Sequence, residues 1–222
     1  MIYWISFFFC WIYVKLFYPT KVIGKKNLPK KEGYVLTCNH YSNLDVVILG
    51  VALGKKIRYL AKKELFKNKF VGWYVKKLGG FPVDRENPDI GAFKFGVSTL
   101  KDGHILGIFP EGTRNKGADD ADLQDLKSGA ITFASKTGTK IVPMMIYRRA
   151  RFWRKNYIVI GEPIDIVAEN PKRLTHEETE ENAKRLKETM TNLRASFEAE
   201  RLAKKNRKKK NKQLSEPVKN EK

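Results

Sequence analysis

From about residue 34 onward the chain alternates short apolar runs with longer stretches of helical spacing. Residues 34–38, 57–61, 81–83, 105–109, 141–147 and 157–160 are rich in β-branched and aromatic side chains, the composition of buried strands. Between them, residues 44–53, 64–78, 88–100 and 126–137 repeat apolar positions every three to four residues. Repeated alternation of strand and helix predicts an α/β domain with a largely parallel central sheet flanked by helices. In such sheets the loops at the strand ends carry the chemistry. Asn87-Pro88 predicts a helix start with proline at the first helical position, after which Ile90, Phe93, Val97 and Leu100 share one face. From His176 onward Leu186, Met190, Leu193 and Phe197 recur at four, three and four, the stripe of an amphipathic helix that docks on the domain.

The first 18 residues break this pattern, because no charge precedes Lys15 and nine of them are aromatic. A helix of that length reaches roughly 27 Å at ~1.5 Å per residue, slightly short of a ~30 Å hydrocarbon core. The expectation is an N-terminal apolar, membrane-associated helix that embeds or half-inserts, its aromatic rings suited to the headgroup region. The alternative is a buried core helix. Lys15, Lys21, Lys25 and Lys26 follow the apolar run instead of preceding it. That order argues against a cleaved secretory signal and places the domain on the cytoplasmic face.

Composition adds charge to the picture. The 222-residue chain is long enough for one substantial core and carries a formal +20. Residues 201–222 hold ten bases against two acids, a net +8, which leaves +12 on the rest. Such a surface attracts polyanions: anionic lipid, nucleic acid or an acidic carrier protein. The apolar N-terminus and the lack of a nucleic-acid motif weigh against nucleic acid. Phe66, Phe70, Trp73 and Tyr74, interleaved with Lys67, Lys69, Lys76 and Lys77, form either an interfacial helix on anionic lipid or part of the core. Cys10 and Cys38 have no metal-type spacing, so neither a disulfide framework nor a metal site is expected. Asp119, Asp120, Asp122 and Asp125 lack the closing glutamate of a Ca²⁺ loop and read as a solvated turn.

Two segments carry candidate chemistry. In Asn39-His40-Tyr41-Ser42-Asn43-Leu44-Asp45, a histidine and a carboxylate five residues on supply a base and its orienter. Residues five apart stand about 140° out of phase on a regular helix, so His40 must precede the helix for Asp45 to reach it. Ser42 as N-cap would put Asp45 at the third helical position, its carboxylate folded back towards the turn. The second segment, Phe109-Pro110-Glu111-Gly112-Thr113-Arg114, follows an apolar run and so lies at a strand end. Gly112 permits close backbone approach, and Arg114 can hold a phosphate through two parallel hydrogen bonds. Together the segments suggest acyl transfer onto an anionic alcohol.

These residues, with Lys62-Lys63-Glu64-Leu65-Phe66, Val83-Asp84-Arg85 and Ile141-Val142-Pro143-Met144, occur in an order that resembles the lysophosphatidic acid acyltransferases of the glycerolipid acyltransferase superfamily. The likeness covers about residues 37–145. Lys69 stands where proline is common, Asn115 where serine is common, and one N-terminal apolar segment stands where many members have two. The resemblance implies that His40, oriented by Asp45, deprotonates the sn-2 hydroxyl of 1-acyl-sn-glycerol 3-phosphate, which attacks an acyl thioester to give phosphatidic acid for phospholipid biosynthesis. It implies acyl-CoA or acyl-carrier protein as donor, and no metal or bound cofactor. Lys62 and the Gly112 N–H are candidate donors to the oxyanion, and Arg85, Glu111, Thr113 and Arg114 form the phosphate site. Glycerol 3-phosphate or another lysophospholipid is the alternative acceptor, and a Cys38 acyl-enzyme the alternative mechanism. The expected organisation is a membrane-associated segment over residues 1–20, the acyltransferase domain over 21–170, an amphipathic helix over 171–203 and a basic disordered tail over 204–222.

Overall fold

The sheet grows outward from its most buried strand. In the computed structural model, which describes residues 2–30, 32–84, 89–117, 123–171 and 173–215, β2 (Tyr34–Cys38) is buried at every position. It pairs in parallel with β5 (Ile105–Ile108) and with β6 (Ile141–Ile146). β3 (Ile57–Lys62) and β4 (Gly80–Val83) continue the sheet beyond β5, and β7 (Asn156–Ile160) and β1 (Thr20–Ile23) beyond β6. The order is β1-β7-β6-β2-β5-β3-β4. Every neighbouring pair is parallel except β6 with β7. Only residues 147–155 join those two, a connection too short for the crossover a parallel return requires.

Among the described residues six α-helices accompany the strands: α1 (Ile2–Phe17), α2 (Leu44–Leu53), α3 (Lys69–Lys77), α4 (Ile90–Lys101), α5 (Gly129–Thr137) and α6 (His176–Ser215). Strand alternation sends Leu36, Cys38 and Met144 towards Ile48 and Leu49 of α2, with Val14 of α1 behind them. Val35, Leu106 and Met145 face the other way, onto Leu100 of α4, Ile131 of α5 and Leu186 and Met190 of α6. The expected parallel sheet flanked by helices is therefore present, with α1 and α2 on one face and α4, α5 and α6 on the other.

Several boundaries differ from the periodicity, each where a side chain or loop competes for backbone donors. Residues 64–78 are a 3-10 turn, Lys63–Phe66, followed by α3. Asn68 interrupts them because its Oδ1 accepts the N–H groups of Phe70 and Val71 at 3.0 and 3.1 Å, the N-cap geometry. α4 is capped by Asp89, which accepts the Ala92 N–H at 2.9 Å, and Ile90 is exposed, off the face shared by its neighbours. Asn87 and Pro88 lie outside the described residues. The expected end of the last helix at 203 and disordered tail from 204 are corrected as far as Ser215, since α6 runs 40 residues. Its sequence has neither Gly nor Pro and is rich in Lys, Arg, Glu and Ala, and Glu200 pairs with Lys204 one turn on at 3.3 Å.

α1 is not a core helix. Only Val14 is buried on it, while Trp4, Ile5, Phe8, Phe9, Trp11, Ile12, Tyr13 and Leu16 are all exposed. Lys56, just past α2, lies over Tyr3 at 4.7 Å, and Phe17 stacks on Phe152 beyond β6 at 5.0 Å. α1 thus lies along α2 in the opposite direction. Among the described residues no helix is long and apolar enough to cross a membrane.

Burial also sets the response to alkali. It pushes the Tyr34 hydroxyl up to about 12 and raises the Cys38 thiol and the Tyr59 hydroxyl well above their ordinary values. In the unfolded chain these groups ionise near ~8.5 for the thiol and ~10 for the phenols. Above those values the unfolded chain loses protons that the folded chain retains, so stability is complete below about pH 8.5 and falls as the pH climbs towards 12. The urea midpoint is expected to hold between about pH 7 and 8 and to drop between about pH 9 and 11. Tyr34→Phe should flatten the upper part of that fall, and a wild-type midpoint unchanged to about pH 11 would overturn the assignment.

Candidate active site

The chain leaves β2 at Cys38 and enters α2 at Leu44, and the residues between form the centre of the site. Asn39 behaves like one more strand residue. Its Oδ1 accepts the Ile146 N–H at 2.7 Å and its Nδ2 donates to the Ile146 carbonyl at 3.1 Å, sealing the ends of β2 and β6 together. His40 follows at the C-terminal edge of the sheet, with 7% of its surface exposed. Its Nδ1 lies 3.0 Å from Asp45 Oδ2. The same oxygen accepts the N–H groups of Tyr41 and Ser42, both at 2.7 Å, and Oδ1 accepts the Ser42 hydroxyl at 3.2 Å.

His40 therefore precedes its helix and meets Asp45, as the phase of the spacing requires. The cap differs from expectation: Asn43 is the N-cap, and Asp45 is the second helical residue, not the third. Ser42 is displaced from that role because its hydroxyl and its amide both turn to the buried Asp45 carboxylate. The imidazole plane is held from outside by Phe109, whose ring lies 3.9 Å away and 18° from parallel. Phe109 stacks in turn on Tyr59 at 5.7 Å.

The second segment begins where β5 ends. Phe109-Pro110-Glu111-Gly112 closes a turn in which the Gly112 N–H donates to the Phe109 carbonyl at 3.0 Å, with proline at its favoured second position. Gly112 has φ 71°, and an added Cβ would stand 2.7 Å from Cε of Lys127. Lys127 thus lies across the glycine, and its own N–H donates to the Pro110 carbonyl at 2.7 Å. That bond holds residue 127 in the loop, so α5 begins at Gly129 and not at 126.

Two of the expected assignments fall on residues engaged within the protein. Glu111, expected at the phosphate, is 4% exposed and points inward. Its Oε1 accepts the His40 N–H at 2.9 Å, and Oε2 accepts the Gln124 N–H at 3.2 Å and Asn115 Nδ2 at 3.5 Å. A carboxylate used in this way would repel a phosphate. Asn115 completes the brace by donating its N–H to the His40 carbonyl at 2.7 Å, so His40 is gripped on both sides by the second segment. The Gly112 N–H, the expected oxyanion donor, is engaged by the Phe109 carbonyl of its own turn.

The other candidates stand at the surface of the same sheet edge. Arg114 is exposed, with Nη1 3.5 Å from the Asn43 side chain at the start of α2. Thr113 donates its hydroxyl to Gln124 at 3.0 Å. Lys62 ends β3, two strands from β2, and is exposed and paired with Glu64 at 3.3 Å. Arg85, Asp119, Asp120 and Asp122 lie outside the described residues, while Asp125 pairs with Lys187 at 2.7 Å. Cys38 is buried, and burial followed by the nearby Asp45 charge raises its thiol well above the usual range. A thiol held protonated in this way is a poor nucleophile, which removes the basis for an acyl-enzyme at Cys38. Phe70 and Trp73 of α3 are exposed and do not pack a core. Among the described residues no group of three or more His, Cys, Asp or Glu could hold a metal ion.

An imidazole with Nδ1 tied to a carboxylate presents Nε2 as an acceptor for an alcohol proton. Arg114, Lys127 and the first turn of α2 offer positive charge beside it. Asn39 and Phe109 open the two segments that the sequence singled out, but without a role of their own, and Lys127 was not singled out at all. Only its spatial neighbours distinguish Lys127 from an ordinary surface lysine.

Residues 19–147 match the family model described as Acyltransferase. The chain is similar to the 1-acyl-sn-glycerol-3-phosphate acyltransferase of Bacillus subtilis (strain 168), at 40% identity over 154 residues covering 65% of this chain and 73% of that protein. A protein of the same description from Borreliella burgdorferi is 34% identical over 139 residues, 62% of this chain and 54% of the relative. The crystal structure of the 1-acyl-sn-glycerophosphate (LPA) acyltransferase PlsC from Thermotoga maritima matches with a TM-score of 0.63 and 25% identity, covering 86% of this chain and 79% of that one.

The brace at Glu111 can be tested by stability alone. Hydrogen bonds to a charged acceptor contribute about 1.5–3 kcal/mol each, so Glu111→Ala is expected to cost at least about 2 kcal/mol. Glu111→Gln keeps one acceptor but turns an NH₂ towards other donors and should fall between the two. Equal urea midpoints for all three proteins would rule out the brace.

Proposed function

The chain belongs to the acyltransferase family, and on that premise we propose that it transfers an acyl group to the sn-2 hydroxyl of 1-acyl-sn-glycerol 3-phosphate, forming phosphatidic acid in phospholipid biosynthesis. The donor is acyl-CoA or acyl-carrier protein, both thioesters on anionic carriers suited to a chain of formal charge +20. The observation that carries the mechanism is the Nδ1–Asp45 contact of 3.0 Å, on an oxygen that also holds two backbone N–H groups. Asp45 can neither rotate away nor leave the imidazole in the wrong tautomer.

His40 Nε2 takes the hydroxyl proton while the alcohol oxygen attacks the thioester carbonyl. The C–S bond then breaks, and the leaving thiolate takes the proton from the imidazolium, which Asp45 has stabilised in the interval. Arg114, Thr113 and Lys127 hold the acceptor phosphate beside the start of α2, with Arg85 contributing from outside the described residues. Lys62 can serve the oxyanion by leaving Glu64. No metal or bound cofactor enters these steps.

α1 associates with the membrane on its cytoplasmic face. Its 16 residues span roughly 24 Å at ~1.5 Å each, and its outward face is a continuous run of exposed aromatic and aliphatic side chains. A helix of this kind lies in the interface or half-inserts, its rings at headgroup level.

Acyl transfer in mixed micelles, with lysophosphatidate, glycerol 3-phosphate and lysophosphatidylcholine each offered with acyl-CoA and acyl-carrier-protein donors, is expected to yield phosphatidic acid as the main product. His40→Ala should lower kcat by about 10²–10⁴-fold, and Cys38→Ala should leave it near wild type. Full activity of His40→Ala would overturn the mechanism, and acylation of another acceptor in preference would overturn the substrate.

A further inference from the structure

We propose that residues 147–155, between β6 and β7, form a second membrane-contact element holding a pocket for the phosphate of an anionic phospholipid headgroup. This rests on the reading of α1 as a membrane helix and extends it to a site in the catalytic domain. The eight residues from Arg148 to Lys155 contain five bases, two large aromatics and no acid.

The aromatics point the wrong way for a folded interior. Phe152 is 50% exposed and Trp153 70%. Trp153 also has φ 52°, a left-handed conformation that a bulky residue adopts only when its surroundings impose it. What imposes it is on either side. The Trp153 N–H donates to the Phe17 carbonyl at the end of α1, at 2.7 Å. Asn156, itself buried, accepts the Arg151 N–H at 3.1 Å and donates to the Arg154 carbonyl at 2.9 Å. The loop is built to hold these rings outward. Phe17 stacks on Phe152 at 5.0 Å and Tyr18 meets it edge-on at 5.8 Å, so the loop continues the exposed apolar face of α1 without a break.

Behind that rim lies a cavity of about 280 Å³ whose walls include Arg148, Arg154, Lys155, Arg201, Tyr147 and Tyr157, with no carboxylate among its lining residues. The Arg201 guanidinium is set 5.0 Å from the rings of both Tyr147 and Tyr157. Glu198, on the same helix, is occupied by the Tyr147 hydroxyl at 3.0 Å. Clustered guanidinium groups with a lysine ammonium suit a phosphate. A water-soluble polyanion would match the bases but would leave Phe152, Trp153 and α1 in water. A bilayer of anionic phospholipid matches both, with rings at headgroup depth and bases among the phosphates. The site also adjoins the catalytic one, since Arg149 donates to the Asn115 carbonyl at 3.3 Å and Asn115 grips His40.

The test is co-sedimentation of the full chain with phosphatidylcholine vesicles and with vesicles that also contain phosphatidylglycerol. Replacing Arg148, Arg154 and Lys155 together by Gln should weaken binding to the anionic vesicles by roughly a hundredfold, at about one tenfold step or less per base, and leave binding to neutral vesicles unchanged. Phe152→Ser with Trp153→Ser should weaken binding to both. All these side chains are at the surface, so the variants should melt like wild type and retain acyl transfer in micelles. Variants that bind anionic vesicles as wild type does would overturn this site alone, whereas wild type that binds no vesicle would overturn the reading of α1 with it. Displacement from vesicles by inorganic phosphate or by free coenzyme A at equal potency would assign the pocket to a soluble phosphate and sink the lipid proposal.

Discussion

A carboxylate withdrawn from water must find hydrogen-bond donors or remain protonated, and the turn between β2 and α2 is shaped by how Asp45 finds them. The His40 imidazole, two backbone N–H groups and the Ser42 hydroxyl, all from residues 40–42, are its donors among the described residues. Because Tyr41 and Ser42 aim their amides at one oxygen, the chain cannot begin its helix there. α2 starts only at Leu44, and His40 is left outside it with its ring against the same oxygen. Glu111 solves the same problem across a larger distance in sequence, taking the His40 amide on one oxygen and the Gln124 amide on the other. The two buried acids thus hold a histidine by its ring and by its backbone.

The placement of charge follows from this. Acids near the site are turned inward onto amides, while the bases Arg114, Lys127 and Lys62 remain at the surface of the strand ends. β6 runs parallel to β2, so the basic loop that follows it opens at the same edge as His40. The acceptor, donor and bilayer proposed above would all approach one side of the molecule. α1 and the loop at Phe152 and Trp153 leave their apolar surface uncovered there, which gives that side a chemistry different from the opposite edge.

Where the periodicity misjudged a boundary, a local polar bond had the stronger hold on the backbone. Asn68 divides one expected helix into two, Asp89 takes over a cap, and the Lys127 N–H is kept in a loop by Pro110. β1 was not foreseen because four residues with two apolar positions carry little periodic signal, and the strand exists only by pairing with β7. The antiparallel direction of β7 was equally hidden, since a strand's own residues look the same in either direction. Glu111 and Gly112 were assigned to the substrate because motif order names which residues matter without saying which way they face.

The sequence by itself determined the α/β class, the strands of the central sheet, the docking stripe of the last helix, and the requirement that His40 stand outside the helix carrying Asp45. Those follow from local periodicity and helical phase, which neighbouring residues specify. Only the tertiary structure decided that Glu111 braces His40, that Lys127 covers Gly112, that Phe109 fixes the imidazole plane and that the loop after β6 joins α1 in one apolar and basic surface. Each of these depends on segments fifteen or more residues apart meeting at a strand end. No property of the separate segments encodes that meeting until the sheet order brings them together.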